Sequence, residues 1–232
     1  MKIREAVMKI HLDEVIEELR RNLLQMANMV NEAIVYSTRA LFEKDENLAK
    51  SVVEKDTMID MMENKLDEES LKIFALQQPI AVDLRFVVMV LKMNNDFERI
   101  GDMAVNISER VIDFIQNDYY VLFSQLGNYQ ELKYMAAKAN EMIDKTLQCI
   151  IEKDTHLARD VIKMDNLVDS YNKSMIMKCI AEISDKPDKA EFFISLISIS
   201  KNLERVGDHC TNICQDTIYM IEGKNIKHQP LS

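Results

Sequence analysis

The chain has 232 residues, only four glycines, three prolines and no tryptophan, against 47% hydrophobic and 29% charged residues. This composition supplies amphipathic helices and leaves little for turns and sheets, so it predicts an all-α protein. The formal net charge of -10 argues against sequence-independent binding of nucleic acid, which rewards clustered lysine and arginine.

The N-terminal segment carries charges at Lys2, Arg4 and Glu5 and lacks the continuous apolar core of a signal peptide. No apolar run in the chain approaches the ~20 residues that a membrane span requires. We therefore expect a cytoplasmic protein that does not insert into a membrane.

The first half of the chain reads as three helices. Apolar residues recur at three- and four-residue steps from Leu12 to Leu41, which is typical of a helix that packs one face on a core. The Glu-Lys-Asp segment at 43–45 marks a link to a second helix, and Pro79 marks the next link. The third helix then carries the segment Glu-Arg-Ile-Gly-Asp at 98–102.

The second half repeats this order. Glu-Lys-Asp returns at 152–154, Pro187 again precedes a long helix, and Glu-Arg-Val-Gly-Asp at 204–208 echoes the first copy. The duplication predicts two tandem three-helix bundles with six long helices, residues 1–120 and 121–232. The link between the copies falls at 117–128, and it can be partly helical. A helical solenoid is disfavoured because solenoids use shorter units and usually more copies.

Carboxylates spaced four residues apart recur at equivalent positions of both copies. This spacing stacks two side chains on one helix face, where like charges destabilise an isolated helix and a bound cation would compensate. Any single pair is also consistent with a solvated face, but the repetition favours ligands. The second helix of the first copy continues the row with Glu63 or Asn64, and Asn106 and Asn212 continue the rows of the third helices. The candidate metal ligands are Asp56, Asp60, Glu98, Asp102, Asn106, Asp165, Asp169, Glu204, Asp208 and Asn212.

Oxygen ligands of this kind suit Mg, Ca, Mn or ferric iron, and carboxylates can bridge neighbouring ions. The absence of paired histidines argues against a zinc hydrolase and against a ferritin-like di-iron site. His209, next to Asp208, can add a nitrogen ligand in the second copy only. We interpret Gly101 and Gly207 as positions where two helices approach closely beside the acidic pairs.

Nothing in the sequence indicates catalysis. A nucleophile paired with a base, a phosphate-binding glycine loop and a dinucleotide fingerprint are all missing, so we expect no catalytic residue. The cysteines do not form a disulfide scaffold in a chain of this length, and a reducing compartment would keep them as thiols. We interpret them as small core residues: Cys149, Cys179, Cys210 and Cys214.

The twice-repeated pattern Glu-Arg-[Ile/Val]-Gly-Asp-x-x-x-Asn-Ile resembles the PhoU family, and the similarity covers nearly the whole chain. Asp-Leu-Arg at 83–85 resembles the family's stretch before its first motif, but residues 188–191 do not repeat it. The resemblance implies two three-helix bundles related by pseudo-twofold symmetry. It also implies multinuclear metal clusters on the bundle surfaces, held by the acidic residues named above, with iron as the first expectation and Mn, Mg, Zn or Ni as alternatives.

In function, the resemblance implies a negative regulator of the phosphate-starvation response that controls inorganic phosphate uptake. Its partners would be a phosphate-specific ABC transporter and a membrane sensor kinase, and a homodimer is left open. Two other hypotheses stay open as well. One is a metal-dependent phosphohydrolase, which would turn over phosphate esters, and the other is a helical adaptor that needs no metal.

Overall fold

The computed structural model describes residues 2–77, 79–125 and 129–227, and within them the side chains of 12–77, 79–124 and 130–227. These ranges are almost entirely helical and contain no strand. The predicted all-α fold with six long helices is confirmed; a short helix lies between the copies and a 3-10 helix at Pro187–Lys189 precedes the last one. The α-helices are α1 (Lys2–Glu43), α2 (Glu46–Gln77), α3 (Ala81–Gln116), α4 (Tyr119–Gln125), α5 (Tyr129–Glu152), α6 (Thr155–Asp185) and α7 (Ala190–Glu222).

The long helices form two three-helix bundles that pack side by side. Helices α1, α2 and α3 make the first bundle, and α5, α6 and α7 make the second. The bundles meet through α3 against α7 and α1 against α5. Helices α3 and α7 run antiparallel, because Asp96 contacts His209 whereas Lys92, one turn earlier, contacts Asp216, further along α7. Helices α2 and α6 therefore flank the paired bundles.

The Glu-Lys-Asp segments form the same helix-to-helix turn in both copies. Lys44 and Lys153 follow the last residue of α1 and α5 in the left-handed region, at φ 59° and 55°. The next residue caps the following helix: Asp45 accepts a hydrogen bond from the amide of Leu48, and Asp154 accepts from that of Leu157. The repeat in sequence is thus a repeat in backbone geometry.

The link between the copies contains helix α4, which crosses the predicted boundary between residues 120 and 121. The Tyr120 hydroxyl donates a hydrogen bond to the carbonyl of Leu41 at the end of α1. The rings of Tyr119 and Phe123 pack against Phe114 of α3. Gly127 and Asn128, which the sequence placed in this link, lie outside the described residues. The described part of the link therefore attaches α4 firmly to the first bundle.

One continuous apolar core runs through both bundles. Helices α3 and α7 contribute most to it, because each packs within its own bundle and also against the other. All four cysteines are buried thiols, so the interpretation of these residues as core side chains is confirmed. None of the described helices combines the length and the apolarity needed to cross a membrane.

Candidate metal-binding faces

The first acidic face lies along the seam between α2 and α3. Asp56 on α2 is half-buried, and burial together with the charges of Asp60 and Asp102 raises its pKa from 3.8 to about 6. Burial, and then the nearby Asp102, also raises the pKa of Glu98. The four predicted side chains of this copy are therefore close enough to repel one another across the seam.

Glu63 belongs to this face, and the sequence left it as an alternative to Asn64. The pKa of Glu63 is raised by burial and by the carboxylates of Asp67 and Asp60. The Asn64 amide instead donates to the carbonyl of Asp60 in its own helix. The three-residue step from Asp60 to Glu63 was the sequence signal for this fifth carboxylate.

Arg99 restrains the first face, as the sequence suggested. Its Nη1 donates to Oδ2 of Asp102 over 3.1 Å, and its Nε lies 3.3 Å from Oε2 of Glu98. One guanidinium therefore bridges the two carboxylates that α3 contributes, and it offsets part of their repulsion without entering the row on α2.

The second acidic face repeats the arrangement between α6 and α7. Burial raises the pKa of Asp165 from 3.8 to about 7, and the charges of Asp208, Asp169 and Glu204 act in the same direction. The pKa values of Glu204 and Asp208 are raised as well, in each case by burial first and by a neighbouring carboxylate second. The four predicted carboxylates of the second copy thus also form one electrostatic group.

The two mid-helix glycines let the helices approach at these faces. A Cβ on Gly207 would lie 2.6 Å from Oδ1 of Asp165, and a Cβ on Gly101 would lie 3.2 Å from Cδ1 of Ile59. Gly101 also lies beside Asp56, whose Oδ1 would be 3.8 Å from such a Cβ. The predicted role of both glycines in close helix packing beside the acidic pairs is confirmed.

The donor set fits a hard metal ion, although the side chains are not arranged as a finished coordination shell. Oδ1 of Asp165 is buried and accepts no hydrogen bond from any part of the chain that the structure describes. An anionic oxygen of this kind is costly unless a proton or a cation compensates it. Among the described side chains, no three His, Cys, Asp or Glu groups converge as metal ligands. Ligation would thus require rotation of these surface carboxylates.

The two asparagines of the predicted site differ in their surroundings. Asn106 is exposed on α3. Asn212 lies at the contact between the bundles, where its amide donates to Oδ1 of Asp96 over 3.3 Å. Metal ligation by either residue remains a prediction.

His209 lies at the same contact. Its Nδ1 is 2.8 Å from Oδ1 of Asp96, so that nitrogen pairs with the first bundle and is not directed at the second acidic face. The sequence did not predict a role for Asp96. The pair joins the two copies, and a motif that is read within one copy carries no signal for a contact between copies.

Fold and site together define a class of protein: a tandem repeat of three-helix bundles in which each copy carries carboxylates along one seam. Residues 23–111 and 132–217 match the PhoU domain family. The chain is therefore a member of the PhoU family, as the repeated motif predicted.

Relatives of known name extend over almost the whole chain. Phosphate-specific transport system accessory protein PhoU homolog 1 of Thermotoga maritima is 32% identical over 218 residues, which is 94% of this chain and 92% of that protein. The PhoU accessory protein of Escherichia coli is 27% identical, with 92% and 86% covered. The crystal structure of PhoU from Pseudomonas aeruginosa is 30% identical, has a TM-score of 0.85, and matches 91% of this chain and 99% of that one.

Proposed function

We propose that this protein is a cytoplasmic, non-enzymatic accessory protein of inorganic phosphate uptake. It acts with a phosphate-specific ABC transporter and a membrane sensor kinase, and it represses the phosphate-starvation response when phosphate is plentiful. Family membership supports this proposal, because relatives that match nearly end to end are named as accessory proteins of the phosphate-specific transport system.

We further propose that the two acidic faces bind metal ions, with iron as the first expectation and Mn, Mg, Zn or Ni as alternatives. The observation that carries this is the duplication of one electrostatic arrangement: on both seams, burial and mutual repulsion raise carboxylate pKa values. A cation would relieve both costs at once. The ligands would be Asp56, Asp60, Glu63, Glu98 and Asp102 on the first face, and Asp165, Asp169, Glu204 and Asp208 on the second.

Bound metal would neutralise each face and fix its side chains. The neutralised face would then present an ordered surface to the transporter or the kinase, so that metal occupancy controls docking. Removal of metal would restore repulsion among the carboxylates and weaken that contact. The chain's own residues supply only binding and orientation in this scheme, and no bond is made or broken.

The test compares the metal content of two variants that lose the same number of charges. The first carries four alanines at the acidic faces: Glu98→Ala, Asp102→Ala, Glu204→Ala and Asp208→Ala. The control replaces exposed acids elsewhere: Glu18→Ala, Glu54→Ala, Asp160→Ala and Asp185→Ala. We expect plasma mass spectrometry of protein purified without chelators to find stoichiometric metal in wild type and control, and to find little in the face variant.

The same variants test regulation in cells. With a reporter of the phosphate-starvation response in a strain that lacks the native gene, the face variant should leave the reporter active in high phosphate, and the control should repress it. Repression by a face variant that has lost its metal would identify a metal-free adaptor. Equal metal in all three proteins would reject the acidic faces as ligands.

A further inference from the structure

Two cysteine thiols of the second bundle lie in contact. Sγ of Cys149 on α5 and Sγ of Cys214 on α7 are 3.8 Å apart. Both residues are fully buried and carry free thiols. The sulfurs would have to approach by roughly 1.8 Å to reach the ~2.05 Å length of a disulfide bond.

The polar surroundings of the pair hold both sulfurs at this contact. The Cys149 thiol donates to the carbonyl of Thr146 over 3.1 Å, and the Thr146 hydroxyl lies 3.5 Å from Sγ of Cys214. Cys210 lies one turn before Cys214 on α7, and it is buried too. Cys179, in contrast, is a buried thiol on α6 with no sulfur contact among the described residues.

The first bundle has no such pair. The residues that correspond to Cys149 and Cys214 in the internal repeat are Ala40 and Ser108, and both are buried. Packing at these positions therefore does not require sulfur, because the first copy builds the same helix contact without it. The first copy also supplies the substitutions with which the second copy can be tested.

We propose that Cys149 and Cys214 form a redox pair, in which a peroxide converts the two thiols into a disulfide that links α5 to α7 in the second bundle. The inference rests on the contact between the two sulfurs and does not depend on the proposed regulatory function. It assigns to the second copy a covalent state that the first copy cannot adopt.

The chemistry balances with one equivalent of hydrogen peroxide. One cysteine sulfur attacks a peroxide oxygen, the O–O bond breaks, and the products are a sulfenic acid and water. The second sulfur then displaces hydroxide from the sulfenic sulfur; the S–O bond breaks, the S–S bond forms, and the two thiol protons leave in water. Two electrons pass from the thiols to the peroxide, and either order of attack gives the same products.

Burial makes this reaction slow, and it also selects the oxidant. Burial raises the pKa of the Cys214 thiol well above its usual value, so little reactive thiolate is present at neutral pH. A small uncharged peroxide can enter during local opening of the bundle, whereas a bulky disulfide reagent cannot reach the sulfurs easily. The disulfide would therefore accumulate under sustained exposure to peroxide.

The experiment treats the full-length native protein with hydrogen peroxide, blocks the remaining thiols in denaturant, and digests it with trypsin without reduction. Cys149 then lies in peptide 146–153, whereas Cys210 and Cys214 share peptide 206–224. We expect these two peptides to be linked, with the intact mass lowered by two hydrogens. The thermal unfolding midpoint should rise by several degrees on oxidation and return after reduction.

Four variants separate the alternatives. Cys149→Ala and Cys214→Ser, which introduce the residues of the first copy, should abolish the link and the rise in midpoint. Cys179→Ser and Cys210→Ser should keep both. A native protein whose thiols all remain free after prolonged peroxide treatment would overturn the proposal. So would a link that forms only in denaturant, or one that survives in Cys214→Ser.

Discussion

At the scale of single residues, the acidic faces hold carboxylates under conditions that favour their protonated form. Asp56 and Asp165 are equivalent in the repeat, and burial raises the pKa of both, to about 6 and about 7. The larger change at Asp165 matches its closer environment, since Gly207 lets α7 come nearer to it than Gly101 lets α3 come to Asp56.

This difference predicts the pH dependence of stability in metal-free protein. The folded state holds a proton on Asp165 up to about pH 7, and the unfolded chain, at the ordinary value of 3.8, releases it earlier. The folded state thus binds more protons across this window, so the free energy of unfolding falls as pH rises through it. We expect Asp165→Asn to reduce that fall by ~1–2 kcal/mol, after allowance for solvent screening.

Urea unfolding of chelator-treated protein at pH 4.5 and pH 7.5 measures this effect. The control is Asp160→Asn, which removes an exposed carboxylate from the same helix. The explanation fails if both variants change the pH dependence equally, because the effect would then come from net charge and not from the buried position.

The sequence predicted much of the site at this scale because its signals are local. The four-residue spacing and the mid-helix glycines lie within single helices, and the structure confirms that the glycines lie beside the acidic pairs. The pairing of His209 with Asp96 was not predictable in this way. It depends on how two helices that are distant in the chain align with each other.

At the scale of elements, the α1–α2 and α5–α6 turns place a lysine where glycine is favoured. Lys44 and Lys153 have positive φ, which costs roughly 1 kcal/mol for a residue with a Cβ. The following aspartates cap α2 and α6, so each turn combines one unfavourable residue with one favourable one. Helix boundaries were predictable from the Glu-Lys-Asp repeat, but the sign of φ was not, because lysine carries no signal for it.

We expect Lys153→Gly to stabilise the protein by ~0.5–1 kcal/mol, since glycine adopts this conformation without strain. The matched control is Lys163→Gly, an exposed position within α6, where glycine should cost ~1 kcal/mol. Chemical denaturation of the two variants gives opposite signs if backbone strain decides the effect. A loss of stability in both would show that the lysine side chain stabilises the turn.

At the scale of the whole molecule, the two bundles share one core through α3 and α7. The sequence predicted two copies and six long helices, but it could not show that both copies bury the same interface. Apolar residues on several sides of α3 indicated a helix buried on more than one side, and the partner turns out to be the second copy.

A shared core predicts cooperative unfolding of both copies. Leu132→Ala, at a buried position of α5 in the second bundle, should lower the global free energy of unfolding by ~2–5 kcal/mol. Hydrogen exchange of amides in α2 and α6 should then accelerate by the same factor, and Leu66→Ala in α2 should give the reciprocal result. Acceleration confined to the mutated bundle would mean that the copies unfold independently.

The antiparallel contact of α3 with α7 also bears on what joining the copies made possible. A homodimer of single bundles would meet through an isologous interface, in which every contact occurs twice. In the joined chain, Asp96 pairs with His209, whereas the corresponding positions across the axis hold Asn202 and Met103, which cannot form a charged pair. Fusion thus freed each side of the interface to diverge, and an ancestor with one gene for both subunits had no such freedom.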